Sequence, residues 1–249
     1  MRKVHVFYRV YPGNNGQSPI FSNDKMRLVR FCLRSFVEAF GTASPRVTFI
    51  LDSCDAGYRD WIEKHVPFEK EILSFVGLGH VGSFFKQVEL ACRLEQDDSV
   101  FLAEDDYYYL DGAGPKLAAA MERFDFVTPY DHAARYTPEQ ENASCYVSFY
   151  GGHHWRTQCS TCLTFGAKVE TLSHVKEIIF RHGISDHPMW LHILRKSPRI
   201  FKRRAYRLYG PIPSLATHLV AGQLAPGVNW EAIWKEKMER WSIHPGAHD

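Results

Sequence analysis

Three acidic residues, Glu104, Asp105 and Asp106, stand together directly after the apolar run SVFLA and directly before three tyrosines. Adjacent carboxylates at the end of a buried strand repel one another unless a cation lies between them. A hard divalent ion, Mn2+ or Mg2+, takes such oxygen ligands and completes its shell with phosphate oxygens of a substrate. Bound there, it stabilises the charge that develops on a departing diphosphate. A solvated acidic turn has the same spacing, and spacing alone leaves the two readings level. The neighbours favour the metal: Phe101, Leu102 and three tyrosines stand where a turn would carry Gly, Asn or Pro. In an extended segment Glu104 and Asp106 fall on one side and Asp105 on the other.

Other groups are spaced for chemistry. Asp186, between Ser185 and His187-Pro188, marks a helix start. A carboxylate there is either the cap or a base that deprotonates an attacking hydroxyl. His218 follows the apolar run SLAT and is either structural or a metal ligand. The sequence GGHHWR at 151–156 is a glycine-rich loop in which Trp155 could stack on a sugar and Arg156 meet a phosphate. The alternative is a hairpin with its tryptophan in the core. Cys159 and Cys162 have CxxC spacing, but no second pair exists for zinc, so they read as structural. Arg199, Lys202, Arg203, Arg204 and Arg207 alternate with Phe201, Tyr206 and Tyr209. That stretch is a solvated face or a contact for a polyanion, nucleic acid included.

These groups need elements to hold them. Residues 3–10 alternate as a strand, and 46–51 (RVTFIL), 71–76, 99–103 and 124–129 read as further strands. Helices are expected from a cap at Ser22 or Asn23 to Gly41, over 58–65, from a cap at Ser83, and over 115–123. Residues 77–82 read as a glycine-rich turn. Strand and helix alternate, as in an α/β sheet with parallel strands. In the second half, 145–150 and 161–165 read as strands around a loop at 151–160, followed by helices over 168–182 and from Asp186. The tail carries Trp230, Ile233, Trp234 and Met238 at helical spacing.

In order along the chain, these motifs resemble glycosyltransferases of the GT-A fold. The strand followed by Glu104-Asp105-Asp106 is similar to that family's DxD region, with Glu in place of the first Asp. The resemblance implies a nucleoside contact for Asp52 and Ser53, which end the strand 46–51, and a nucleotide-side loop for GLGHVGSFF at 77–85. It implies an acceptor-side strand for TCLTFG at 161–166, a catalytic base for Asp186 and a metal or diphosphate ligand for His218 in PSLATH. On that reading Asp106 is the direct metal ligand, while Glu104 and Asp105 contact substrate. The implied fold is an α/β, GT-A-like (Rossmann-like) mixed sheet flanked by helices in one domain, 1–249. Residues 1–130 form its nucleotide-sugar half and 131–249 its acceptor half. The implied reaction is inverting transfer from a UDP-sugar to a hydroxyl on a glycan or a modified nucleic-acid base.

Composition sets outer limits. The 249 residues suffice for one sizeable core, and 45% hydrophobic with 23% charged residues is ordinary for a folded soluble protein. No apolar stretch is long enough to span a bilayer, and the amino terminus reads as a strand rather than a signal peptide, so the expected location is cytoplasmic. Six scattered cysteines suit reduced, buried thiols. Two rivals stay open. A sugar nucleotidyltransferase would want a basic phosphate loop after the first strand, and residues 11–17 carry no Lys or Arg. A non-catalytic nucleic-acid-binding protein would use the basic stretch alone.

Overall fold

The computed structural model describes residues 4–13, 17–137, 145–195 and 206–243. The first half alternates as expected: β1 (Val4–Val10), α1 (Lys25–Phe40), β2 (Arg46–Asp52), α2 (Ala56–His65), β3 (Glu69–Phe75), α3 (Gly79–Ala91), β4 (Ser99–Ala103), β5 (Tyr107–Tyr109), α4 (Ala113–Arg123) and β6 (Phe126–Val127). The second half adds β7 (Val147–Tyr150), β8 (His153–Gln158), β9 (Phe165–Lys168), α5 (Val169–His182), α6 (Asp186–Arg195), β10 (Leu208–Ile212), β11 (Ala216–His218) and α7 (Trp230–Arg240).

Among the described residues nine strands make one mixed sheet that runs through both halves, in the order β3-β2-β1-β4-β9-β6-β10-β8-β7. The first four are parallel, and β9 runs antiparallel to both β4 and β6. Helices cover both faces. Val6 and Tyr8 pack under α1, α2, α4 and α7, while Phe7 packs under α3, α5 and α6. Strand β4 is buried along its whole length because both of its faces are covered. The fold is the GT-A-like mixed α/β sheet that the sequence led us to expect.

Several boundaries differ from the sequence reading, each for a local reason. Helix α1 is capped by Asp24, whose carboxylate accepts from the Arg27 N–H at 2.9 Å, and not by Ser22 or Asn23. Ser83 lies inside α3, not at its cap. That helix starts at Gly79 because the buried Asp52 carboxylate takes the N–H groups of Leu78 and Gly79, at 3.0 and 2.7 Å. The expected loop at 151–160 is mostly strand β8. Gly151 and Gly152, with φ of 60° and 75°, form the two-residue turn that joins it to β7. The expected strand at 161–165 begins only at Phe165, since Cys162 and Leu163 hold left-handed φ values of 47° and 60°. All six cysteines are free thiols, but only Cys32 is buried and Cys145 is exposed. Arg199, Phe201, Lys202, Arg203 and Arg204 lie outside the described residues. Among the described residues no helix is long and apolar enough to cross a membrane.

Candidate active site at the strand switch point

The order β3-β2-β1-β4 reverses direction between β1 and β4, where chain crossovers leave to opposite sides. A crevice opens at the carboxyl ends of strands at such a point, and ligands of open α/β sheets bind there. The acidic cluster leaves β4 at that crevice. Tyr8 pairs with Ala103, so the next residues along, Arg9 and Glu104, are neighbours by register.

The three carboxylates have three different partners. Glu104 is ion-paired with Arg9, whose other guanidinium nitrogen donates to the His80 carbonyl at 2.7 Å and to Ser83 at 3.2 Å. Asp105 points to the α1 face, accepting from Lys25 at 2.7 Å and from the Tyr11 N–H at 2.8 Å. The alternation expected of Glu104 and Asp105 is therefore present. Asp106 lies in the turn before β5. Its Oδ2 is 3.1 Å from Nε2 of His218, and its Oδ1 is buried with no hydrogen-bond partner among the described residues.

His218 reaches Asp106 through a small second sheet. Strand β11 pairs antiparallel with β5, placing His218 opposite Tyr107, and the Leu219 N–H donates to the Asp106 carbonyl at 2.8 Å. The imidazole stacks on the Tyr107 ring at 4.9 Å and 7°. It also hydrogen-bonds the Cys162 thiol and, through Nδ1, Gln223 at 2.8 Å. The three tyrosines after the acidic cluster are fully buried and form the wall against which this happens.

Burial and pairing separate the acids electrostatically. Burial pushes Glu104 up to about 7, although Arg9 opposes it. Burial likewise raises Asp105 above the usual carboxylate range, with Lys25 opposing. Burial would raise Asp106 too, but the His218 imidazolium outweighs it and holds Asp106 well below that range. For His218, burial lowers and Asp106 raises, and Asp106 wins, so the imidazole stays protonated well above the usual histidine range.

This arrangement corrects the initial argument about repulsion. The chain supplies its own cation to each acid, so no metal is required to hold three carboxylates together. What a metal would explain is narrower: the orphaned Oδ1 of Asp106. An unpaired buried oxygen costs about 1–3 kcal/mol, and a water or an ion is the partner that would relieve it. The Oδ2 of Asp106 is already taken by Nε2 of His218 at 3.1 Å, so Oδ1 is the atom a cation would take. Among the described residues no group of three or more His, Cys, Asp and Glu side chains is arranged to hold an ion. Asp106 Oδ1, with His218 beside it, could hold a divalent cation only if water and substrate oxygens supplied the remaining ligands.

The other expected site residues are placed as follows. Asp52 is 1% exposed and spends its carboxylate on the start of α3 and on Ser53, whose hydroxyl in turn accepts from the Gly77 N–H at 3.0 Å. Together they shape the loop at 77–79 that borders the crevice. Trp155 is not available to stack on a sugar: it is 1% exposed, donates to the Tyr150 carbonyl and packs on Phe124. Arg156 pairs with the buried Asp131 at 2.6 Å and lies over the Tyr136 ring. Arg207, the described end of the basic stretch, lies over Tyr146.

Asp186 corrects the expectation of a base. Its two oxygens accept from the Ser160 and Thr161 hydroxyls, the N–H groups of Thr161, Cys162 and Leu163, and the Trp190 indole, at 2.6–3.1 Å. Three successive N–H groups wrapped round one anion form a nest, and its left-handed turn needs the φ values seen at Cys162 and Leu163. Six donors leave the carboxylate no lone pair facing a substrate. Asp186 is an anchor for the loop at 160–163, and that loop carries Cys162 to His218.

The sequence reading missed Arg9, Lys25 and Gln223. Arg9 had a faint signal, a lone cation in an apolar strand; Lys25 and Gln223 had none.

Comparison with known proteins agrees on the fold. No protein-family model matches the chain, and no curated protein matches it in sequence. The galactosyltransferase LgtC, solved in complex with donor and acceptor sugar analogues, is similar with a TM-score of 0.53 and 8% identity, over 98% of this chain and 97% of that one. A 4-diphosphocytidyl-2C-methyl-D-erythritol synthase from Anaerococcus prevotii gives 0.50 at 6% identity, over 96% of each chain. A protein from Desulfovibrio desulfuricans assigned as a nucleotide-diphospho-sugar transferase aligns over 51% of this chain and 58% of its own, with a TM-score of 0.39 at 15% identity. At these identities the likeness is one of fold, and that fold serves both glycosyl and nucleotidyl transfer.

Proposed function

We propose that this protein is a metal-dependent glycosyltransferase that takes a sugar from a nucleoside diphosphate, uridine being the expected base, and passes it to a hydroxyl acceptor. The observation that carries the reading is the unpartnered Oδ1 of Asp106 beside His218, at the carboxyl end of β4. Asp106 and His218 would hold a divalent cation, Mn2+ or Mg2+, which when bound supplies charge stabilisation to the departing diphosphate. Glu104, fixed by Arg9, borders the same crevice. Asp105, by accepting from Tyr11, fixes the start of the loop after β1. Asp52 and Ser53 set the loop at 77–79 on the nucleoside side. With Asp186 committed to its nest, no residue here argues for inversion.

The fold likeness to the diphosphocytidyl synthase keeps nucleotidyl transfer as the second reading. Residue chemistry disfavours it. A triphosphate needs free cations near the first strand, yet residues 11–17 carry none, and Arg9 and Lys25 are committed to Glu104 and Asp105. The test is a thermal-shift panel of UDP-, GDP- and ADP-sugars and of CTP, with and without Mn2+. Stabilisation by one nucleoside diphosphate sugar only when Mn2+ is present is expected, worth about 2.7 kcal/mol at a ligand concentration 100 times Kd. Flat curves sink the reading, and stabilisation by CTP alone transfers it to the second.

A further inference from the structure

We infer that Gln223 sets which nitrogen of His218 faces the metal position, making it a positioning residue for cation binding. The inference rests on the metal reading above and concerns a residue that reading does not use. An imidazole has two nitrogens, and the partner of one decides the protonation of the other. At Nδ1 stands the Gln223 side-chain carbonyl oxygen, 2.8 Å away. A carbonyl oxygen only accepts, so Nδ1 carries the proton. Nε2, 3.1 Å from Asp106, is then the nitrogen that faces the metal position. The opposite tautomer would turn an N–H on the cation.

Gln223 is itself held to the site. The Tyr130 hydroxyl donates to its backbone carbonyl, and its N–H donates to Val220 at 3.0 Å. Two residues on, the Ala225 N–H donates to Thr217 on β11 at 2.9 Å. Tyr130 also packs edge-on to both Tyr107 and His218. The turn at 220–225 is therefore built on the same aromatic wall that carries the imidazole, which keeps the amide oxygen in line with Nδ1.

The experiment is Mn2+ binding by calorimetry, in the presence of UDP, for the wild type, Gln223→Met and Gln223→Glu. Met keeps the length and removes the acceptor; Glu keeps the length and offers a stronger one. Gln223→Met is expected to weaken Mn2+ binding by about 10–100-fold, and Gln223→Glu to bind at least as tightly as wild type. The metal-free melting temperatures check that both variants are folded. A merely structural role would move both variants together, so equal loss in the two overturns the inference, as does a Gln223→Met variant that binds like wild type. A wild-type protein that binds no Mn2+ overturns the metal reading itself and this assignment with it.

Discussion

Asp106 and Asp186 are the same side chain used in opposite ways. Asp186 gives both oxygens to six donors and closes a loop over itself. Asp106 gives one oxygen to His218 and leaves the other buried and unpaired. A saturated carboxylate is a structural device, because any further partner must displace an existing bond. An unsaturated one, buried beside a histidine, still has a lone pair to offer a ligand. The two are linked, since the loop that Asp186 gathers brings the Cys162 thiol to His218, which pairs with Asp106.

The comparison breaks first at Asp106. Asp106→Ala is expected to remove metal-dependent nucleotide binding, by 1000-fold or more, equivalent to about 4 kcal/mol, as read by calorimetry with Mn2+ and UDP. Retained binding would show that the open oxygen holds nothing.

Asp186→Ala should act on folding instead. It strips the acceptor from three backbone N–H groups, and we expect a loss of roughly 3–4 kcal/mol in urea unfolding. Metal-dependent nucleotide binding of the folded protein should persist. A variant with full stability and no transfer activity would return Asp186 to the role of base.

The smallest effect sharpens the electrostatics. Glu104 is pushed up to about 7 in the folded protein against an ordinary 4.5, so the folded state holds its proton more tightly than the unfolded chain does. Its stabilising contribution is complete below pH 4.5 and is lost as pH rises through 7. In metal-free protein, Glu104→Gln should remove a fall of about 3 kcal/mol across that window, measured by urea unfolding at stepped pH. Asp186→Ala should leave the fall in place. An unchanged slope in the Glu104 variant would mean that Arg9 neutralises the carboxylate completely.

The acidic cluster was legible because three carboxylates stand directly after an apolar run, at the carboxyl end of a buried strand. The roles of its members were not legible, because each depends on a cation from elsewhere: Arg9 on β1, Lys25 at the start of α1 and His218 on β11. Trp155 and Arg156 misled for a related reason. GGHHWR reads as a loop by its glycines, yet both glycines are consumed in a tight turn and the rest is strand, with Trp155 facing the core. Asp186 was correctly placed at a helix start, but the nest that satisfies it comes from the preceding loop and depends on left-handed backbone at Cys162 and Leu163, which no residue type there announces.

The sequence by itself determined the alternation of strands and helices in the first half, and with it a sheet whose ligand crevice lies at strand ends. Periodicity and burial are local, and a local pattern records them. Only the tertiary structure decided that β4 lies beside β1, that β11 delivers His218 to Asp106, and that Glu104 and Asp105 already have partners. Pairings between residues far apart in the chain leave no periodic trace. The difference between a saturated carboxylate and an open one is a matter of such pairings alone.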